Sequence, residues 1–143
     1  MKLRILTVGK APEWIDEGFA EYAHRLPLEG LELVVVSGRR GQTNEQRLLD
    51  AVRERETLVV MDRCGTPVCS EDLAALMAEW RMRGRDVAFA VGGVEGLGPG
   101  ARQRANLVLS LSKLTLPHLL VRVVLAEQLY RAAMILAGHP YHR

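Results

Sequence analysis

Cysteine is scarce: Cys64 and Cys69 are the only two in 143 residues. With no second pair beside them they complete no zinc set, and they read as reduced thiols of a cytoplasmic protein. Excess charge is also missing. The formal net charge is +2 and the pI about 8.7, whereas a dedicated nucleic-acid-binding domain usually shows a basic face and a pI above about 9. Long apolar runs are absent as well. The longest, Leu114 to Leu125, is interrupted by Pro117, His118 and Arg122 and falls short of the ~18 apolar residues of a membrane helix. The start Met1-Lys2-Leu3-Arg4-Ile5 carries no secretory apolar region, because the apolar stretch ends at Gly9-Lys10. No repeat, low-complexity segment or long linker divides the chain, so residues 1–143 are expected to form a single domain.

What is present is an ordinary globular composition, 48% apolar and 25% charged, organised as alternating strand-like and helix-like segments. Leu3–Val8 reads as a strand, and Pro12-Glu13-Trp14 opens a helix to about Arg25. Pro27 and Gly30 break the chain before a strand at Leu31–Val36. After the basic loop Gly38-Arg39-Arg40-Gly41-Gln42-Thr43, Thr43 with Gln46 forms a capping-box pattern for a helix through Arg53. Thr57–Met61 is a third strand, Ser70 starts a capped helix ending near Gly84, Val87–Val91 and Leu107–Leu111 are further strands, and a last helix covers His118–Leu136. This alternation predicts an α/β fold with a mostly parallel sheet flanked by helices. In such sheets ligands sit beyond the carboxyl ends of the strands, which directs attention to the loops after Met61, Val91 and Leu111.

The loop after Val91 holds five glycines in nine residues, Gly92-Gly93-Val94-Glu95-Gly96-Leu97-Gly98-Pro99-Gly100. Such a loop lets backbone approach a ligand closely. It is out of register with G-x-G-x-x-G and follows a late strand, and the chain has no G-x-x-x-x-G-K-[ST] phosphate loop, so dinucleotide and nucleoside-triphosphate sites are disfavoured. The stretch Leu111-Ser112-Lys113-Leu114-Thr115-Leu116-Pro117-His118 is too apolar for a solvent loop, and Pro117 forbids a continuing central strand. Either a buried connection or a site for a flat heteroaromatic group fits it. The last helix is apolar around most of its circumference, more than one covered face requires, which points to a homodimer. Glu127 and Arg131 read as an i,i+4 surface pair. His118, His139 and His142 gather near the carboxyl end with Arg122, Arg131 and Arg143; His139 and His142 lack a companion cysteine or carboxylate, so no metal is expected.

Taken in order, Lys2-Leu3 to Val8-Gly9-Lys10, Val91-Gly92-Gly93-Val94-Glu95-Gly96-Leu97, Leu109 to His118, Arg122-Val123, Glu127-Gln128-Leu129-Tyr130-Arg131-Ala132 and Pro140-Tyr141-His142-Arg143 resemble the RlmH family. Its members are methyltransferases acting on N3 of a pseudouridine in 23S ribosomal RNA, and the resemblance spans essentially the whole chain. It implies the SPOUT class, whose carboxyl-terminal part is threaded through a loop as a deep trefoil knot, and it implies a cytoplasmic homodimer. It further implies that S-adenosylmethionine is held at Met61, at Gly92 with Gly93 beside it, and at Leu111, Ser112, Lys113, Leu114, Thr115 and Leu116. Met61 stands where relatives carry leucine, and the segment from Arg39 to Gln46 is shorter than in some of them.

Methyl transfer to N3 must orient the acceptor and manage its proton. His118 and His142 are the candidate bases, with ordinary pKa near 6.5. Arg122 or Arg143 is a candidate to stabilise negative charge on the uracil oxygens, and the tail Tyr141-His142-Arg143 of one protomer is expected to complete the site of the other. Arg39, Arg40, Arg102, Arg104 and Lys113 are candidate phosphate contacts. With so little surface, the ribosomal RNA is expected to be met within an assembled ribosome. The alternatives are a flavodoxin-like or dinucleotide-dependent enzyme on the same α/β pattern, and a non-enzymatic ribosome-associated factor that has lost donor binding.

Overall fold

The structure, a computed structural model, describes residues 1–26, 30–37 and 41–142. Pro27, Arg39, Arg40 and Arg143 lie outside the described residues. Five strands, β1 (Leu3–Val8), β2 (Leu31–Val36), β3 (Glu56–Pro67), β4 (Asp86–Val91) and β5 (Leu107–Ser110), form one sheet in the order β2-β1-β4-β3-β5. Every pairing is parallel. Helices α1 (Glu13–Ala23), α2 (Asn44–Asp50), α3 (Ser70–Met82), α4 (Pro99–Arg104) and α5 (His118–Leu136) cover it, and a 3₁₀ turn occupies Pro140–His142.

Alternation along the strands assigns the two faces. Leu3, Ile5, Val59, Val87 and Phe89 pack against Phe19 of α1, Met77 and Trp80 of α3, and Leu125 and Leu129 of α5. Leu6, Val8, Leu58, Val60, Ala88 and Ala90 pack against Leu48 of α2 and Ala101 of α4. A sheet covered on both sides reads as continuous apolar runs, which is why the central strands were legible. On the first face Trp80 meets Phe89 edge-on, with ring centroids 5.8 Å apart. Gly18 lets α1 approach α5, since a Cβ there would lie 3.3 Å from Val123 Cγ1.

Several boundaries differ from those the sequence predicts. The third strand runs twelve residues, well past Met61, because its distal half pairs again with β5 after a bulge: Met61 and Thr66 both stand opposite Leu109. The capping box of α2 is present, with Gln46 N donating to Thr43 Oγ1 (3.1 Å) and Thr43 N to Gln46 Oε1 (3.0 Å), but the helix ends at Asp50. Cys69, not Ser70, caps α3: its Sγ accepts from Asp72 N at 3.4 Å while Asp72 Oδ2 accepts from Cys69 N at 3.0 Å. Helix α4 was not foreseen. Its N-cap, Gly98, has no side chain to offer; the carboxylate of Glu45 on α2 accepts from Ala101 N instead. A Cβ on Gly98 would lie 2.8 Å from Glu45 Oε2, so a larger residue there would displace the capping carboxylate.

Candidate functional site

The bulged middle of β3, the end of β4, the segment leaving β5 and the start of α5 converge to enclose a pocket. Met61, Asp62 and Arg63 form one wall, Val91 the floor, and Ser110, Leu111, Ser112, Leu114, Thr115 and Leu116 the opposite wall; His118 and Val121 of α5 close it. Local hydrogen bonds shape the 111–117 loop: Ser110 Oγ donates to Ser112 O (3.0 Å) and Leu114 N to Ser112 Oγ (2.9 Å). Arg63 Nη1 reaches across to Thr115 Oγ1 at 3.1 Å. The bulge in β3 draws the chain tightly over β5, and a Cβ on Gly65 would fall 2.7 Å from the Leu109 carbonyl carbon.

The glycine loop follows Val91 but lies outside the pocket lining. Gly92 is buried against Gly96, where a Cβ would lie 2.6 Å from the Gly96 carbonyl carbon, and Gly96 takes φ +73° to turn the chain back. Arg102 straps this loop to the β3 turn: it pairs with Asp62 at 2.7 Å and donates to Leu97 O at 3.4 Å. A second, broader cleft opens on the other side of the loop. Val8, Gly9 and Lys10 after β1, Ser37 after β2, Thr43 to Glu45 at the start of α2, and Gly93 to Gly98 line it. His118 borders both spaces.

The predicted residues are therefore distributed as follows. Met61, Leu111, Ser112, Leu114, Thr115, Leu116 and His118 come together around the pocket. Gly92 packs against Gly96 outside the pocket lining, Gly93 faces the cleft, and Lys113 is exposed and likewise outside that lining. Arg122 is a correction. Rather than facing a substrate it is fully buried, and its Nη2 donates to Val8 O (3.2 Å), Gly9 O (3.1 Å) and Thr7 Oγ1 (3.4 Å). Burial pushes its pKa below the usual arginine value, with Asp16 opposing. The apolar helix buries Arg122 because Thr7 and the strand-end carbonyls supply acceptors on that face.

The tail folds onto its own helix. Tyr141 sets its ring edge-on to Tyr130 (centroids 4.7 Å apart), lies under the Arg131 guanidinium and donates its hydroxyl to Glu127 Oε2 at 3.0 Å. Glu127 and Arg131 are thus not a simple surface pair: both are half-buried, and Gln128 Nε2 adds a 2.7 Å bond to the same carboxylate. Burial and the Glu127 carboxylate together push the Tyr141 phenol up to about 12. His142 Nδ1 lies 3.2 Å from His139 O. Two of the candidate phosphate contacts have internal partners, Arg102 on Asp62 and Arg104 Nη1 on Leu49 O (2.9 Å).

Sequence reading missed Asp62, Arg63, Ser110 and Val121 in the pocket, and Lys10, Ser37 and Asn44 in the cleft. For Asp62 and Arg63 a signal existed: Gly65 inside an otherwise strand-like stretch marks a bulge or a close backbone approach.

A family model described as a predicted SPOUT methyltransferase matches residues 1–142. Similar proteins include the ribosomal RNA large subunit methyltransferase H of Xanthomonas campestris pv. campestris (strain B100), 44% identical over 157 residues, covering 100% of this chain and 99% of that one. That of Nitrosomonas eutropha is 46% identical over 155 residues with the same coverage. Among solved structures, a probable methylase family protein from Haemophilus influenzae Rd KW20 superposes with TM-score 0.61 at 12% identity, covering 99% of this chain and 70% of that one. The SpoU methyltransferase AviRb from Streptomyces viridochromogenes gives TM-score 0.54 at 14% identity, with 96% of this chain and 61% of that one covered. At these identities the structural likeness concerns the fold.

Proposed function

This chain belongs to the SPOUT methyltransferase family, and on that premise we propose that it transfers the methyl group of S-adenosylmethionine to N3 of a pseudouridine in 23S ribosomal RNA, within an assembled ribosome in the cytoplasm. The names of its full-length relatives support the RNA class. What supports the reaction most is the placement of His118 between an apolar pocket and a cleft of mixed polar and apolar lining.

The pocket suits the donor. Its walls are largely apolar, with short hydroxyl side chains at Ser110, Ser112 and Thr115. Met61, Gly92 and Leu111 to Leu116 would hold the adenosine there, with Asp62 and Arg63 at the rim. S-adenosylmethionine, when bound, supplies an electrophilic methyl carbon on a sulfonium. The chain's own part is to hold the acceptor nitrogen in line with that carbon and to take its proton, for which His118 stands nearest both spaces. The cleft from Gly9 to Glu45 takes the acceptor nucleotide, and exposed Lys113 remains a candidate phosphate contact, as do Arg39 and Arg40 by sequence.

The whole chain acts as one SPOUT domain without a metal. The tight passage of Gly65 over Leu109 supports threading of the carboxyl-terminal segment as a deep trefoil knot. The position of the tail supports a homodimer. Helix α5 begins at His118, and Tyr141 docks on its Glu127, Tyr130 and Arg131, about 14 to 20 Å along the helix at ~1.5 Å per residue. Tyr141 and His142 are therefore far from their own His118, and they act, with Arg143, in the partner's site.

Calorimetric titration with S-adenosylmethionine, with NADH and FMN as controls, tests the pocket; labelled-donor incorporation into ribosomes lacking the modification, mapped by mass spectrometry, tests the acceptor. Micromolar donor binding and label on N3 of one pseudouridine are expected. Donor binding without transfer to ribosomal RNA would refute the acceptor assignment, and binding of NADH or FMN in its place would refute the donor.

A further inference from the structure

Arg122 is the largest fully buried side chain of the described residues. Its Nη2 carries three bonds, to Val8 O, Gly9 O and Thr7 Oγ1, while Nε and Nη1 have no hydrogen-bond partner among the described residues. No carboxylate pairs with it there either. A buried guanidinium so sparsely satisfied is costly, and its replacement by an apolar side chain is often favourable when only stability is at stake. Stability does not explain it.

What it touches is informative. Val8 and Gly9 end β1, and the chain then turns with Gly9 at φ +87°. The peptide bonds here are trans, and in a trans peptide the carbonyl and the following N–H point in opposite directions. Since both carbonyls point at Arg122, the Gly9 and Lys10 amides point away from it. The Lys10 amide has no partner within the described fold. Val8, Gly9 and Lys10 line the cleft, as does His118, one helical turn before Arg122, whose Nε2 lies 3.8 Å from where a Gly9 Cβ would stand.

We propose that the Gly9–Lys10 turn is an oxyanion site for the acceptor base, the Lys10 amide donating to a uracil-type carbonyl oxygen, and that Arg122 is the positioning residue that aims and polarises it from behind. Removing the N3 proton spreads negative charge onto the flanking carbonyl oxygens. A fixed amide donor at that point, backed by a buried positive charge and needing no reorganisation, stabilises the anion as it forms. The acceptor remains a pyrimidine with an ionisable imide N–H; the inference rests on the reaction proposed above and adds the group that binds its developing charge.

The test uses the full-length protein with Arg122→Lys, Arg122→Met and Gly9→Ala, the last straining a left-handed backbone position. Single-turnover methylation of ribosomes is followed against pH, alongside donor affinity by calorimetry and the melting temperature. Arg122→Met should slow methyl transfer about a hundredfold, the scale of losing one oxyanion donor, with donor affinity held within threefold and the rising limb of the pH–rate profile moved to higher pH. Arg122→Lys should recover part of the rate. Rates within threefold of wild type, an unmoved pH limb, or losses that follow donor affinity and melting temperature in every variant would overturn the proposal. A second measurement does not depend on the reaction: addition of uridine 5′-monophosphate should shift the Lys10 amide resonance of the wild-type protein and not that of Arg122→Met. An inactive wild-type protein that still shows this difference would refute the assigned reaction and leave the site standing; absence of the shift in wild type would overturn the site.

Discussion

Arg4 and Glu56 form a two-pronged ion pair at the start of β1 and β3, Arg4 Nε donating to Glu56 Oε2 at 2.7 Å while Nη2 bonds the other oxygen and Ala51 O. Both side chains are buried, and the Arg53 amide adds a third donor to the carboxylate at 2.7 Å. Burial alone would raise the Glu56 pKa, yet the hydrogen bonds from Arg4 and Arg53 outweigh it and hold the carboxyl below the usual glutamate range. The pair anchors the edge of α2 to the sheet, at the end of the strands opposite the pocket.

A depressed carboxylate contributes stability that is fully present above its unfolded pKa, about 4.3, and is lost as pH falls through the lower folded value. Glu56→Gln should therefore flatten the acid limb of stability below about pH 4, while Arg4→Met, which leaves a buried charge unpaired, should cost about 3–5 kcal/mol at neutral pH. Urea unfolding of both variants from pH 3 to 7 checks the pattern, and an unchanged acid slope in Glu56→Gln would count against it.

Gly92→Ala puts a methyl group into the Gly96 backbone, where the nearest atom would be 2.6 Å away. The glycine loop must shift, at about 1–3 kcal/mol, and the pocket wall shifts with it. Donor affinity should fall at least tenfold in calorimetry while the five-stranded sheet persists by circular dichroism. Retained affinity would mean that the loop is not part of the donor site.

Glu45→Ala removes the side-chain cap that α4 has among the described residues. The expected cost is about 0.5–2 kcal/mol, and hydrogen exchange should accelerate over residues 98–104 ahead of the rest of the molecule. Uniform acceleration would show that Glu45 supports the fold globally instead.

The Tyr141 phenol, held up to about 12 by burial and by Glu127, should be the last tyrosine to ionise. Its raised value means that tail docking is intact below the ordinary tyrosine pKa, about 10, and weakens as pH rises through the folded value. Spectrophotometric titration of wild type against Tyr141→Phe should remove the highest step only.

Deleting residues 140–143 should abolish methylation and leave donor binding within threefold. Mixing the truncated chain with His118→Ala should restore activity in heterodimers, because one composite site is then intact. No recovery would place the tail's action within its own chain.

The sequence by itself determined the layered α/β architecture. Apolar, β-branched runs such as Leu3–Val8 and Val87–Val91 satisfy the requirement of a sheet covered on both faces, and Thr43 with Gln46 encodes its own helix start locally. It also pointed to Met61 and the 111–116 stretch of the pocket lining, because an apolar, proline-ended stretch is visible without coordinates. What only tertiary structure decided depends on partners distant in the chain. Helix α4 has a weak local pattern and borrows its cap from Glu45; the outer half of β3 exists because β5 lies beside it. Arg122 reads in sequence as a charge for the substrate, but the strand-end carbonyls of Val8 and Gly9 accept its donors inside the fold. Glu127 looks like half of a helix pair until Tyr141 returns to it. Local composition fixes where backbone hydrogen bonds close within a segment; a buried polar side chain is placed by acceptors that the folded chain brings to it.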